Sequence, residues 1–149
     1  MKKTLLLMIM MLVLAGLALA DDHVTQPVAL TEGPGLEICR QLLDNHDFLG
    51  IELPAYMPFR TERFNIYTFD GEAVGLVELQ DKAVTTVECA TYEEEYTYDV
   101  YIKDYETVDM LFVTDDPLGV YKQHLKDDNI KIEGKTFGKK LQYFFFSVG

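Results

Sequence analysis

Residues 62–103 read ERFNIYTFD GEAVGLVELQ DKAVTTVECAT YEEEYTYDVYIK, and this stretch decides the fold. Glu62–Phe69 is rich in aromatic and β-branched residues, the composition of a strand. Asp70-Gly71 follows, a strong hairpin signal, because glycine accepts the positive φ of a tight turn. Glu72–Leu79 returns with Ala73, Val77 and Leu79 on one face beside Gly75. Gln80-Asp81 turns the chain into a third strand, Lys82–Thr91, carrying Val84, Val87 and Cys89. A turn at Tyr92-Glu93 leads to the fourth, Glu95–Lys103. There Tyr96, Tyr98, Val100 and Ile102 alternate with Thr97, Asp99 and Lys103. Period-two alternation turns one face to a core and the other to water. Four strands on short turns predict an antiparallel meander with one apolar face to cover.

Helical signals flank the meander. Leu36, Cys39, Leu42, Leu43 and His46 recur at spacings of three and four, predicting a helix over Leu36–Asp47. Pro54 and Pro58 forbid a helix interior between Gly50 and Arg60, where the apolar residues predict a connector packed onto the body. Downstream, Thr107–Val113 reads as a short helix. Asp116-Pro117 opens another, an N-cap with proline at the first position, running to Lys126. That helix is expected to bury Leu118, Tyr121 and Leu125. Asn129–Glu133 predicts a fifth strand. The tail over residues 136–146 fits both helix and strand, and helix is preferred. The expected class is α+β: a five-stranded, mainly antiparallel sheet with helices packed on one face, in one domain over residues 36–149.

The N-terminus has its own pattern. Lys2-Lys3 precedes an apolar run from Leu5 to Ala20 that ends Ala18-Leu19-Ala20, and Asp21-Asp22 begins a polar chain. This is the order of a Sec-type signal peptide over residues 1–20, with cleavage expected after Ala20. The mature protein would be secreted or extracytoplasmic, with no membrane span left. Residues 21–35, with Pro27 and Pro34, read as a flexible leader.

Charge excludes some partners. After residue 20 the chain holds 25 acids against 11 Lys and Arg, a net charge of −14. Nucleic acid and anionic lipid surfaces select for clustered cations, so neither is an expected partner. Two cysteines remain, Cys39 and Cys89. In an exported chain such a pair reads as one disulfide, the alternative being two buried thiols. A loop of about 50 residues gives roughly 4 kcal/mol of chain-entropy stabilisation.

Catalytic constellations are not evident. Ser147 is the only serine and lies two residues from the C-terminus, where a partner base and an oxyanion site are not expected. His23, His46 and His124 show no metal-ligand spacing and read as surface or boundary residues. Asp115-Asp116 and Asp127-Asp128 lack a D-x-D-x-D-G loop and read as helix ends. Glu93-Glu94-Glu95 reads as a solvated turn. No enzyme activity, metal or cofactor is expected. The aromatic load is the remaining signal: nine Phe and nine Tyr with no Trp. These residues either fill an ordinary core or enclose a pocket for an apolar ligand between sheet and helices.

The order of elements resembles the sterol carrier protein type 2 (SCP-2-like) domain over residues 64–146. The matching pieces are Phe64-Asn65-Ile66 leading to Asp70-Gly71, the strand Tyr98–Ile102 with its following polar turn and helix, and Lys131-Ile132-Glu133-Gly134 followed by Phe137–Gln142. The resemblance implies a non-catalytic domain whose sheet and helices enclose a tunnel for a lipid, fatty acyl chain or sterol-like molecule, closed by a C-terminal helix. The cysteine pair and the export signal depart from that pattern. The ligand-binding walls are expected from Tyr98, Val100, Phe112, Leu118, Tyr121, Leu141, Phe144 and Phe145. The alternative is an interaction or structural domain with a filled core, acting through its acidic surface.

Overall fold

The computed structural model describes residues 26–136, 138–140 and 142–143. The expected signal peptide lies outside them. Chain order is β1 (Val28–Ala29), α1 (Pro34–Asn45), β2 (Glu62–Thr68), β3 (Ala73–Gln80), β4 (Ala83–Glu88), β5 (Ala90–Thr91), β6 (Tyr98–Ile102), α2 (Tyr105–Val113), α3 (Pro117–Lys126) and β7 (Ile130–Gly134). The class is α+β, as expected.

The first two hairpins follow the sequence signals. Gly71 takes φ 85°, and its N–H donates to the Thr68 carbonyl at 3.0 Å. The next turn places Asp81 and Lys82 at φ 49° and 72° without glycine. Positive φ at both central residues matches the right-handed twist of a hairpin. Lys82 Nζ offsets the strain by donating to the Ala55 and Met57 carbonyls, at 3.1 and 2.5 Å. The same turn thereby pins the proline-bearing connector, which also runs beside the edge of β4 through Gly50 N–H to Val84 O at 2.9 Å.

The fourth strand corrects the meander. The sheet order is β4-β3-β2-β6-β7, and β6 lies parallel to β2, not antiparallel to β4. Phe64 pairs with Tyr98, Ile66 with Val100 and Thr68 with Ile102. After β4 the chain leaves the edge, crosses the sheet face away from the helices, and enters on the far side of β2. Leu76, Ala90, Tyr92 and Tyr96 pack together under this crossing. Alternation placed Tyr98 and Ile102 inward, and both are buried, but Tyr96 packs with Tyr92 under the crossing instead of sharing their face, and Asp99, expected toward water, is buried; alternation carries no information about the neighbouring strand.

The leader also differs from expectation. Val28–Ala29 pairs antiparallel with Ala90–Thr91, so this part is docked rather than free. Helix α1 begins at Pro34, two residues before the predicted start, because proline suits the first turn. Its buried stripe is Gly35, Leu36, Cys39 and Leu42. A Cβ at Gly35 would lie 1.9 Å from the Ala73 carbonyl, so α1 meets the backbone of β3 directly. Cys39 and Cys89 form the expected disulfide, with Cα atoms 5.8 Å apart, which ties α1 to the end of β4.

Asp116 caps α3 as read from the sequence, accepting from Gly119 N–H at 3.0 Å. The buried residue of that helix is His124, not the expected Leu118, Tyr121 or Leu125, which are half-buried. The boundary reading of His124 is likewise corrected. In the tail, residues 138–140 and 142–143 are helical. This turn folds back onto Gly134, where a Cβ would sit 2.6 Å from the Lys140 nitrogen.

Candidate functional site

Helices and sheet leave an apolar cavity of about 270 Å³ between them. Its floor is the helix-facing side of the sheet: Ile66, Val74, Val77, Val100, Ile102 and Ile132. Register puts these side chains together, since Ile66, Val100 and Ile132 are successive partners across β2, β6 and β7. One wall is Cys39, Leu42 and Leu43 of α1; the other is Val108, Leu111 and Phe112 of α2, with Tyr121 of α3 behind. Gly75 leaves room beneath the disulfide: a Cβ there would lie 3.4 Å from Cys39 Sγ and 2.7 Å from the Glu88 carbonyl.

The cavity exists because α2 stands off the sheet. Its sequence is mainly apolar, yet Thr107 is its only buried residue. Met110, Phe112 and Val113 are 48%, 38% and 70% exposed. The helix is held by polar links instead. Asp104 caps it, accepting from Thr107 N–H at 2.9 Å. Tyr105 donates to Asp109 at 3.0 Å and accepts from Asn45 at the end of α1, also at 3.0 Å. His46 Nε2 meets Asp109 Oδ1 at 2.7 Å, and its ring stacks on Phe112 with centroids 4.6 Å apart. Phe48 packs edge-on against Phe112. Leu43 and Phe112, both on the wall and both partly exposed, mark the mouth.

The lining is electrically neutral apart from the exposed Glu88 at its margin. Burial, and then the adjoining Tyr143 hydroxyl, push the Tyr121 phenol well above its ordinary range, so it stays protonated. Among the described lining residues, such a space offers dispersion contacts and the Tyr121 hydroxyl. Among the described residues, no group of three or more His, Cys, Asp and Glu could hold a metal ion.

Of the expected wall residues, Val100, Phe112 and Tyr121 line the cavity. Tyr98 shares the face of Val100 but belongs to a filled core at the other end of the sheet, between Phe59 and Phe64 at 5.1 and 5.4 Å. Its phenol is pushed up to about 12, by burial first and then by Glu62. The buried Glu62 pairs with the half-exposed Lys139, which closes that end under the tail. Leu118 is not among the lining residues, and Leu141, Phe144 and Phe145 lie outside the described residues. Sequence reasoning missed Leu42, Leu43, Phe48, Ile66, Val108 and Leu111. The stripe of α1 was visible, but its placement over the middle of the sheet was not.

A polar cluster occupies the opposite face. Arg63 Nε lies 2.9 Å from Glu78, Thr86 donates to Glu78 at 3.0 Å, and Tyr92 donates to it as well. Burial opposes ionisation of Glu78, but the Tyr92 and Thr86 hydrogen bonds and the Arg63 charge outweigh it and hold its carboxyl below the usual value of 4.5. These groups satisfy one another and anchor the crossing chain.

No family model matches the chain, and a search of curated proteins finds no match either.

Proposed function

We propose that this is an exported, non-catalytic binding domain for a small apolar molecule held between the helices and the sheet. The observation that carries the reading is the neutral, apolar cavity of about 270 Å³. A concave, mainly apolar space that opens between the helices suits an apolar occupant. A dry cavity of roughly 150 Å³ takes up benzene, which scales to a ligand of roughly ten heavy atoms here. A medium-length acyl chain or a small terpenoid fits; a sterol needs α2 to move outward. The SCP-2-like resemblance of the sequence supports the same class of ligand. Export is supported by the signal-like N-terminus and by the disulfide, a bond that persists in oxidising compartments. No helix of the described residues is long and apolar enough to cross a membrane.

Native mass spectrometry of protein recovered after export tests the proposal, together with titration by a fluorescent fatty acid. Bound apolar mass, or saturable one-to-one uptake weakened by cavity-filling substitutions, is the expected result. Ligand-free protein that also takes up no probe overturns it.

A further inference from the structure

We propose, on the reading that the cavity holds an apolar ligand, that α2 is its lid: anchored at the first turn and latched to α1 by His46 and Asp109, a pair that sets how fast the ligand enters and leaves. The two halves of α2 are held differently. At the first turn Asp104 Oδ1 accepts from the Thr107 N–H at 2.9 Å and from its hydroxyl at 2.8 Å, and Thr107 is buried. Beyond Thr107 no residue of the helix is buried. Val108, Leu111 and Phe112 lie over the cavity, where a space takes the place of the side chains that would grip them. A polar hub holds this half against α1 instead. Asp109 Oδ1 receives the Tyr105 hydroxyl at 3.0 Å and meets His46 Nε2 at 2.7 Å. A carboxylate only accepts, so His46 Nε2 carries the proton and donates. The His46 side chain is 12% exposed, so little water competes for this bond. Asn45 reaches the Tyr105 hydroxyl from an exposed site, where water does compete. The His46 ring also stacks on Phe112, and Phe48 packs edge-on against both. Phe112 stands at the mouth beside Leu43, so the histidine that makes the bond also backs the residue at the entrance. Release of the bond lets the C-terminal half of α2 swing outward and opens the seam between α1 and α2.

Two measurements test the latch: stopped-flow mixing with a fluorescent fatty acid, and hydrogen exchange of backbone amides, which needs no ligand. His46→Phe keeps a ring against Phe112 and removes the donor; Asp109→Ala removes the acceptor. Both should raise the uptake and release rates roughly tenfold, the order of a hydrogen bond to a charged group, while affinity changes less than about twofold. The two rates move in step because the latch acts on the closed lid, filled or empty. Amides of residues 109–113 should exchange faster in both variants, and those of β2 and β3 should not, which also shows that the variants are folded. His46→Gln returns an N–H donor and should restore slow passage; a merely structural contact would lower the thermal midpoint without moving the two rates together. Unchanged exchange over residues 109–113 in both variants would overturn the latch. Faster exchange there with unchanged uptake and release would place the entrance elsewhere and overturn the lid. A parent protein that takes up no probe would end the binding reading and the lid with it, a failure told apart from that of the latch because hydrogen exchange reports the latch alone.

Discussion

Asn65 and Tyr92, 27 residues apart, are joined by two hydrogen bonds. The Asn65 Nδ2 donates to the Tyr92 carbonyl at 2.7 Å, and the Tyr92 N–H donates to Asn65 Oδ1 at 2.9 Å. A side-chain amide thus does for the crossing chain what a neighbouring strand would do: it satisfies both backbone groups of a residue that has left the ladder. Asn65 is fully buried at the centre of β2, a position that tolerates a polar side chain only when it is paired. Asn65→Leu should therefore cost about 3 kcal/mol, the penalty of leaving two buried backbone groups unpaired. Urea denaturation measures it; a loss below about 1 kcal/mol would show that the crossing does not depend on this contact.

The disulfide spans 50 residues of sequence and joins α1 to the end of β4. Replacing both cysteines by Ser should lower stability by about 2–4 kcal/mol, mostly by freeing the unfolded chain. Intact mass after alkylation, with and without reductant, reports the bond; the unfolding midpoint reports its effect.

The cluster around Glu78 predicts an acid limb. Its folded-state pKa is depressed, so its contribution is complete above the ordinary value of 4.5 and is lost as pH falls through the lower native value. Stability should fall as pH drops below the ordinary carboxylate range, and Glu78→Gln should flatten that limb while lowering stability at neutral pH. Thermal midpoints of both proteins against pH are the measurement. Parallel curves would place the acid sensitivity elsewhere.

Val100 of β6 and Val108 of α2 both line the cavity. Val100→Phe and Val108→Phe should each weaken uptake of a fluorescent acyl probe by at least about tenfold, or 1.4 kcal/mol. If the cavity is an accessible void, these changes should leave the thermal midpoint unchanged or raise it. A fall with unaltered uptake would mean that the probe binds at another place.

Much of the architecture was legible. The hairpin at Asp70-Gly71, the cap at Asp116-Pro117 and the α1 stripe are local patterns, and each formed where the residues dictated. The site was legible only in part. Val100, Phe112 and Tyr121 were expected and line the cavity, whereas Tyr98, with an equally suitable side chain two residues from Val100, packs under Phe59 instead. Which apolar residues fill a core and which border a space depends on what lies above them.

Local pattern was enough for the α+β class, the inward placing of Tyr98 and Ile102, and the pairing of the two cysteines. Those properties follow from periodicity, turn chemistry and residue type, which act over a few neighbours. Long-range packing set the parallel pairing of β6 with β2, the crossing of the back of the sheet pinned by Asn65, and the stand-off of α2 that leaves a cavity. Strand partners and helix stand-off arise from contacts between residues distant in sequence. A pattern of period two or 3.6 names a face, but not the element that covers it.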